Sequence, residues 1–353
     1  MKKIILTGGG SAGHVTPNLA LLPGLKAAGY EVCYIGSKNG IEKDIIAKTG
    51  VTYYGISAGK LRRYLDLRNI TDVFRVLKGF GEAVRLVREI RPDAVFSKGG
   101  FVAAPVVAAA KMAKVKVAVH EADMTPGLAN RLSIPFADVV CVNFPETLSR
   151  IRGRKAVFTG CPIRPELFGG SRKEAAEMCA FRDTKPVLMM TGGSLGSVRI
   201  NTVLREALGR LCADFNIIHI CGRDKTAPEM ETPGYRQFEY VTAELPHLFA
   251  YADAVISRAG ANTIFELLAL QKPSLLIPLS KKASRGDQIL NAESFRRQGF
   301  SDVIEEEDLS PEKLAEAAAG VYRNREKYRA AMAACPMKNG ADEVLRVIKG
   351  LCE

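Results

Sequence analysis

Tryptophan is absent from this 353-residue chain. No apolar run approaches the ~20 residues that a bilayer-spanning helix requires, which excludes a transmembrane anchor. The apolar segment at the start is only about five residues long, too short for the core of a secretory signal. The eight cysteines, at 33, 141, 161, 179, 212, 221, 335 and 352, never form a C-x-x-C pair. Several lie inside apolar stretches, so buried, reduced thiols of a cytosolic protein are expected. Aromatic residues are not interleaved with basic ones as in RNA-binding modules, and nucleic acid therefore ranks last among partners.

What is present points to two α/β domains. The length exceeds the usual size of a single core, and a hydrophobic content of 47% is ample for two. Charge divides unevenly: residues 1–165 carry 25 Lys and Arg against 12 Asp and Glu, whereas residues 166–353 carry 25 against 26. A basic first half suits an anionic membrane surface or a phosphorylated substrate.

Two glycine-rich turns look like copies of one device. Ile4-Ile5-Leu6-Thr7-Gly8-Gly9-Gly10-Ser11-Ala12-Gly13-His14 recurs in form as Val187-Leu188-Met189-Met190-Thr191-Gly192-Gly193-Ser194-Leu195-Gly196-Ser197. A buried parallel strand reads as such an apolar run, and glycines let the backbone turn sharply after it. The helix that follows points its N–H groups at the turn, an arrangement suited to a phosphate.

In the first half, residues 16–28 read as a helix and Glu31 to Ile35 as a strand. Gly8-x-Gly10-x-x-Gly13 formally satisfies the dinucleotide fingerprint, but the second strand runs into Gly36-Ser37-Lys38 without the acid that holds ribose hydroxyls. Glu42 comes several residues too late. His14 is either a polar residue bonded to local backbone or a group able to polarise a hydroxyl. Between 59 and 91, apolar Val73, Phe74, Val76, Leu77, Phe80, Val84 and Leu86 recur at roughly helical spacing among Arg68, Arg75, Lys78, Arg85 and Arg88. With the basic loop from Lys60, this pattern suits an amphipathic helix on an anionic membrane or an ordinary helix covering the sheet. Strands follow at Asp93 to Ser97, before the turn Lys98-Gly99-Gly100-Phe101, and at Val115 to Val119, before His120-Glu121-Ala122-Asp123. The last three polar residues could pass for metal ligands by type, yet no second cluster accompanies them. An acceptor-binding or structural role is expected instead. Gly160 to Pro165 reads as the linker, giving domains of 1–162 and 163–353.

In the second half, helix 198–212 is expected to receive a cap or a phosphate contact from Ser194. Strands are expected at Ile217 to Cys221, Gln237 to Val241, Ala254 to Ser257 and Ser274 to Pro278. The run from Ser257 to Ala269 reads as strand end, glycine turn and helix start. Asn262 and Glu266 share a helical face, and a carboxylate one turn into such a helix can accept two ribose hydroxyls. Asp287 and Gln288 offer the mixed donors and acceptors that sugars require. Residues 310–333 and 340–351 read as terminal helices, the last able to pack back on the first domain.

In order and spacing, these motifs resemble the MurG family, cytoplasmic glycosyltransferases that add N-acetylglucosamine to lipid I in peptidoglycan synthesis. The resemblance covers nearly the whole chain. It rests on Gly9 to His14 with Pro17, Gly99-Gly100-Phe101-Val102, His120-Glu121, Gly160-Cys161-Pro162-Ile163-Arg164, Gly192-Gly193-Ser194, Ser257 to Ala261 with Glu266, and Gln288 with Asn291-Ala292. It implies a GT-B fold, two Rossmann-like domains with parallel sheets facing a deep cleft. It also implies transfer of N-acetylglucosamine from UDP-N-acetylglucosamine, with inversion, to the MurNAc C4 hydroxyl of lipid I. Ser194 and Arg164 would contact the diphosphate, and the backbone at Val241 the uracil. Glu266 would hold the ribose, Ala261, Asn262, Thr263, Ile264 and Phe265 the phosphates, and Gln288 the sugar. Ser11, Ala12 and Gly13 would reach the donor from the other domain. His14 becomes the acceptor-side catalytic candidate. Many members read His-Glu-Gln-Asn where this chain has His120-Glu121-Ala122-Asp123, so Asp123 stands near donor and acceptor as a second candidate base. Ser11-Ala12 replaces Thr-Gly, and Leu195 replaces Gln.

Asp-x-Asp, the metal–diphosphate motif of the other large transferase fold, is missing from the chain. No cofactor is therefore expected, with magnesium at most stimulatory. The resemblance further implies peripheral attachment to the cytoplasmic, anionic face of the cell membrane through Lys60 to Phe80, near other cell-wall synthesis proteins. Rival readings are a GT-B transferase with a diacylglycerol acceptor, a nicotinamide oxidoreductase and a non-catalytic UDP-sugar sensor.

Overall fold

The computed structural model describes residues 1–59, 68–151, 153, 155–193, 196–336 and 338–353. Contacts divide the chain into two compact units, Met1–Arg164 with Asn339–Glu353, and Pro165–Lys338. The boundary after Arg164 falls slightly beyond the one drawn from the linker at Pro162, and the C-terminal segment belongs to the first unit.

The first unit runs β1 (Lys3–Thr7), α1 (Thr16–Ala27), β2 (Glu31–Ser37), α2 (Ile41–Ala47), β3 (Thr52–Ile56), α3 (Arg68–Ile90), β4 (Ala94–Ser97), α4 (Ala103–Met112), β5 (Lys116–Glu121), α5 (Leu128–Ser133), β6 (Val139–Val142) and β7 (Ala156–Phe158). Its strands form one sheet in the order β3-β2-β1-β4-β5-β6-β7, every pair parallel. Side chains alternate between faces along a strand, so the apolar runs feed two cores. Ile5, Val95 and Val119 pack on one side with Val106 and Val107 of α4 and Ala83 and Val87 of α3. Ile4, Leu6, Tyr34 and Phe96 pack on the other with Leu21 and Leu25 of α1.

The second unit runs α6 (Arg172–Cys179), β8 (Val187–Thr191), α7 (Val198–Asp214), β9 (Asn216–Ile220), β10 (Tyr235–Phe238), α8 (Leu245–Tyr251), β11 (Ala254–Ser257), α9 (Ala261–Ala269), β12 (Ser274–Leu276), α10 (Asp287–Arg297), β13 (Ser301–Val303), α11 (Pro311–Arg323) and α12 (Arg325–Ala334). Its sheet order is β10-β9-β8-β11-β12-β13, again parallel throughout. The single helix expected over 310–333 is two, parted at Asn324, whose backbone (φ −94°, ψ 12°) leaves the helical region. The strand expected at Gln237 to Val241 lies earlier, so Val241 falls in the loop after β10.

The last helix, α13 (Ala341–Cys352), returns to the first unit and packs on α1. Val344, Leu345 and Ile348 form its buried stripe within the same core as Ile4 and Leu6. Gly24 makes room for this contact, since a Cβ there would collide with Leu345 Cδ1. The crossing segments are tied together: Gly340 N donates to Cys161 O at 2.8 Å and Ile163 N to Asn339 Oδ1 at 3.0 Å. Among the described residues, no helix is long and apolar enough to cross a membrane.

Candidate active site

Each sheet reverses its strand order once between neighbours, at β1/β4 in the first unit and β8/β11 in the second. Ligands of open parallel sheets bind beyond the carboxyl ends of strands at such a reversal. Thr7 is in register with Ser97 and Thr191 with Ser257, so each glycine turn sits beside the turn that follows the neighbouring strand.

In the first unit, the turns after β1 and β4 meet backbone to backbone. Gly100 has φ +88°, and a Cβ on it would strike the Gly9 carbonyl. The segment Ala12–His14 then forms a short 3-10 turn leading into α1. Ser11, Ala12 and Gly13 thus lie on one exposed to half-buried loop, with His14 half-buried at its end. The Ser11 hydroxyl is 2.9 Å from His14 Nδ1. Withdrawal from solvent, and then the Lys98 charge, push the imidazole down to about 4, against weaker upward pulls from the Gly9 backbone and Glu42. His14 is therefore uncharged at neutral pH.

Glu42, which comes too late in the sequence to hold a ribose, serves this turn from inside the unit instead. It is fully buried at the start of α2, and its carboxylate folds back to accept from Gly10 N (3.2 Å), Ser37 N (3.0 Å) and Ser37 Oγ (2.5 Å). The turn's own N–H is thus occupied by an internal carboxylate, and no ribose is served by it. This physical reason disfavours the dinucleotide alternative.

His120 and Glu121 are buried at the end of β5. His120 Nε2 lies 3.1 Å from Gly160 O. Glu121 accepts from Asp123 N (2.9 Å), Gly127 N (3.0 Å) and Asn130 Nδ2 (2.9 Å), which fixes the loop that presents half-buried Asp123. Burial, then the Asp123 charge, push the Glu121 carboxyl upward. These bonds give the His-Glu pair a loop-organising role. Among the described residues, no three His, Cys, Asp or Glu side chains gather into a set that could hold a metal ion. Arg164, half-buried, is the last residue of this unit before the chain crosses.

In the second unit, Ser194 and Leu195 lie outside the described residues. The helix cap assigned to Ser194 belongs to Ser197, whose Oγ accepts from Ile200 N at 3.4 Å. Gly193 (φ +82°) and Gly196 (φ +68°) carry the turn ahead of it. Beyond β11, α9 begins at Ala261 after Gly260, with no side-chain cap and no acid in its first turn. Its open N–H groups and dipole suit a diphosphate. Ala261, Ile264 and Phe265 are buried, whereas Asn262, Thr263 and Glu266 are half-buried. Gln288, in the first turn of α10, accepts from Leu279 N at 3.0 Å through Oε1.

Sequence reasoning missed Arg258. Buried after β11, its guanidinium donates to Ile277 O (3.2 Å), Pro278 O (3.2 Å) and Ser197 Oγ (2.7 Å), and pairs with Glu306. One side chain thereby binds the ends of β11 and β12 to the capping residue of α7. Asn291 Nδ2, 3.3 Å from Ala259 O, ties α10 to the same turn. The signal was an arginine directly before an Ala-Gly turn, but nothing local distinguishes such a tie from a ligand contact.

Two parallel α/β units with glycine turns at their strand reversals, one followed by an uncapped helix bearing a carboxylate, suit a nucleotide-linked diphosphate, and the comparisons identify the class as a UDP-sugar glycosyltransferase of the GT-B fold. Family models agree: the glycosyltransferase family 28 N-terminal domain matches residues 4–142 and its C-terminal domain residues 187–347. The chain is 56% identical over 349 residues to the UDP-N-acetylglucosamine--N-acetylmuramyl-(pentapeptide) pyrophosphoryl-undecaprenol N-acetylglucosamine transferase of Clostridium tetani, covering 99% of this chain and 98% of that protein. It is 55% identical to the protein of the same name from Lachnoclostridium phytofermentans, over 99% of both. Among solved structures, Acinetobacter baumannii MurG superposes with a TM-score of 0.78 at 23% identity, covering 99% of this chain and all of that one. The chain belongs to glycosyltransferase family 28, in its MurG branch.

Proposed function

We propose that this enzyme transfers N-acetylglucosamine from UDP-N-acetylglucosamine to the C4 hydroxyl of the MurNAc of undecaprenyl-pyrophosphoryl-MurNAc-pentapeptide, lipid I, forming lipid II. The observation that carries this reading is the 56% identity, over virtually the full length of both chains, to a relative named for that transfer. One C–O bond forms between the acceptor oxygen and the sugar C1 as the bond from C1 to the diphosphate oxygen breaks. Configuration inverts, the hydroxyl proton passes to a base, and UDP departs.

His14 is assigned as the acceptor-side base, with Asp123 as the second candidate. With Nδ1–H donated to the Ser11 hydroxyl, Nε2 presents the lone pair that takes the proton. Anionic diphosphates nearby raise its basicity toward the working range. The uncapped start of α9 (Ala261 to Phe265), Arg164 and Ser194 stabilise the negative charge that develops on the departing UDP. Glu266 accepts from the ribose and the Val241 backbone meets the uracil. Gln288, whose oxygen is committed to Leu279, donates to the sugar from Nε2. Ser11, Ala12 and Gly13 contact the donor. Dipoles and cations of the chain supply the stabilisation that a metal would otherwise give, so turnover proceeds without a metal and magnesium at most stimulates it.

The enzyme works at an anionic membrane surface. Support comes from α3, where Phe74 is 68% and Leu77 61% exposed, each directly followed by an exposed cation, Arg75 and Lys78. Leu128, Leu132 and Phe136 are exposed on and after α5, which packs on α4 as α4 packs on α3. The basic loop 60–67 in the expected membrane segment lies outside the described residues.

The test is transfer of labelled N-acetylglucosamine to a soluble lipid I analogue, with a diacylglycerol acceptor in parallel and with chelator added. Transfer to the lipid I analogue alone, undiminished by chelator, is expected. Transfer to diacylglycerol instead overturns the acceptor, and loss with chelator overturns the metal-independent chemistry.

A further inference from the structure

Lys98 has no part in the chemistry above, yet it lies at the centre of the first unit's reversal point. It directly follows β4, is 1% exposed, and among the described residues its Nζ has no hydrogen-bond partner. A buried, unpaired ammonium is costly, and a methionine would fill a similar volume without that cost. Packing alone therefore does not account for a lysine here.

Its surroundings indicate what the charge does. Lys98 N donates to Thr7 O at 2.9 Å, which seats the residue against the end of β1. Lys98 Cβ and the His14 carbonyl oxygen both crowd the space where a Cβ on Gly8 would lie, so Lys98 and the His14 turn close on the same glycine. The charged and titratable groups facing Lys98 are Glu121, Asp123, Cys141 and Cys161, together with the two imidazoles, His14 and His120. Glu121 is already engaged by three N–H donors, so it does not cap the ammonium. Facing His14, besides Lys98, are Glu42 from α2, the Gly9 backbone and the Ser11 hydroxyl.

We propose that Lys98 is a positioning residue for the reaction: its buried, unpaired ammonium behind the first glycine turn selects the uncharged form of the His14 imidazole. The proposal rests on the reading of His14 as the acceptor-side base. An amine and an imidazole in one electrostatic neighbourhood titrate together, so a proton held on the amine disfavours one on the imidazole. Burial holds the Lys98 amine below its ordinary range, against weaker upward pulls from Cys161, Glu121, Asp123 and Cys141. Once charged, it resists a second positive charge on His14. The lone pair needed to take the acceptor proton is thereby kept available well below neutral pH.

The chain has only four histidines, so their side-chain NMR signals can be resolved and His14 assigned with His14→Gln. The full-length enzyme is titrated as wild type and as Lys98→Met, and the acid limb of kcat/KM is recorded for both. In the wild type, His14 is expected to titrate well below 6.5. In Lys98→Met, its titration and the acid limb should move together to higher pH by about one pH unit. A wild-type His14 that titrates at or above 6.5 overturns the proposal. So does a Lys98→Met enzyme that loses turnover with both the titration and the acid limb unmoved, which is the behaviour of a purely structural residue. Should Lys98→Met not fold, Lys98→Gln is read by the same criteria, and the wild-type titration decides without either variant. Full turnover in His14→Gln would remove the base assignment alone, because the NMR shift reports on Lys98 whether or not His14 is the base.

Discussion

Replacing Glu42 by alanine should loosen the first glycine turn and the end of β2 together. The carboxylate accepts from Ser37 N, Ser37 Oγ and Gly10 N, and it is fully buried. Gly10 is exposed, so its N–H can turn to water, but Ser37 is 8% exposed and cannot. Leaving that buried donor unsatisfied costs about 1–3 kcal/mol, and losing the remaining bonds adds about 1 kcal/mol each. Relief from burying a carboxylate offsets part of this, for a net loss of about 2–4 kcal/mol. In a unit of this size that lowers its melting temperature by about 5–15 °C. Glu42→Gln keeps one acceptor oxygen and the side-chain shape, so its loss should be about half as large. Without tryptophan the chain offers little intrinsic fluorescence, and two units need not melt as one. Circular dichroism melting combined with site-resolved hydrogen exchange at Ser37 is the suitable assay. The reasoning is refuted if Glu42→Ala melts like the wild type with Ser37 still protected, or if the glutamine variant is the worse of the two.

Other substitutions test other parts of the structure. Gly100→Ala should cost about 3 kcal/mol or more, because its positive φ and its contact with the Gly9 carbonyl both forbid a side chain. Gly50→Ala, also at positive φ but with open space around it, should cost only about 1 kcal/mol; equal losses in thermal melts would show that the crowding is irrelevant. Arg258→Met strands Glu306 and should destabilise the second unit by about 3–5 kcal/mol, with Arg258→Lys recovering little because the fork geometry is lost. His219 is pushed down to about 3, first by burial and then by Arg205. Its folded value lies below its unfolded one, so its contribution is present above pH 6.5 and is lost as pH falls toward 3. The slope from this residue approaches about 1.4 kcal/mol per pH unit. Urea denaturation of the second unit between pH 6.5 and 4 should therefore be steeper in pH for the wild type than for His219→Asn, and equal slopes would refute the assignment.

The glycine turns were legible because backbone geometry dictates them: only glycine tolerates the positive φ at Gly10, Gly99 and Gly100. The strands that carry the site were legible for a related reason, since β1, β8 and β11 are buried on both faces and read as unbroken apolar runs. β3, Thr52-Tyr53-Tyr54-Gly55-Ile56, escaped notice because it is an edge strand, only partly buried and polar in part. The roles of Glu42, Lys98 and Arg258 were not legible either. Each is charged, each stands in or beside a glycine-bearing loop, and locally each reads as solvated. Their burial is decided by elements distant in sequence: Glu306 for Arg258, the β1 turn for Glu42 and Lys98. The confusion between Ser194 and Ser197 has the same origin, because two serines in one turn are equivalent until the helix start is fixed.

The return of α13 to the first unit delays the completion of that unit until the second has been synthesised. Val344, Leu345 and Ile348 fill one side of the core built on β1 and α1, and they are synthesised only after the whole of the second unit. Domains ordinarily close in the order in which they are made. Here the first unit stays without part of one core while the whole second unit is synthesised, and that apolar face must be kept from other chains in the meantime. The second unit, continuous from Pro165 to Lys338, can finish first. The unit that carries His14 is thus completed last, sealed by a helix that holds none of the residues assigned to the chemistry.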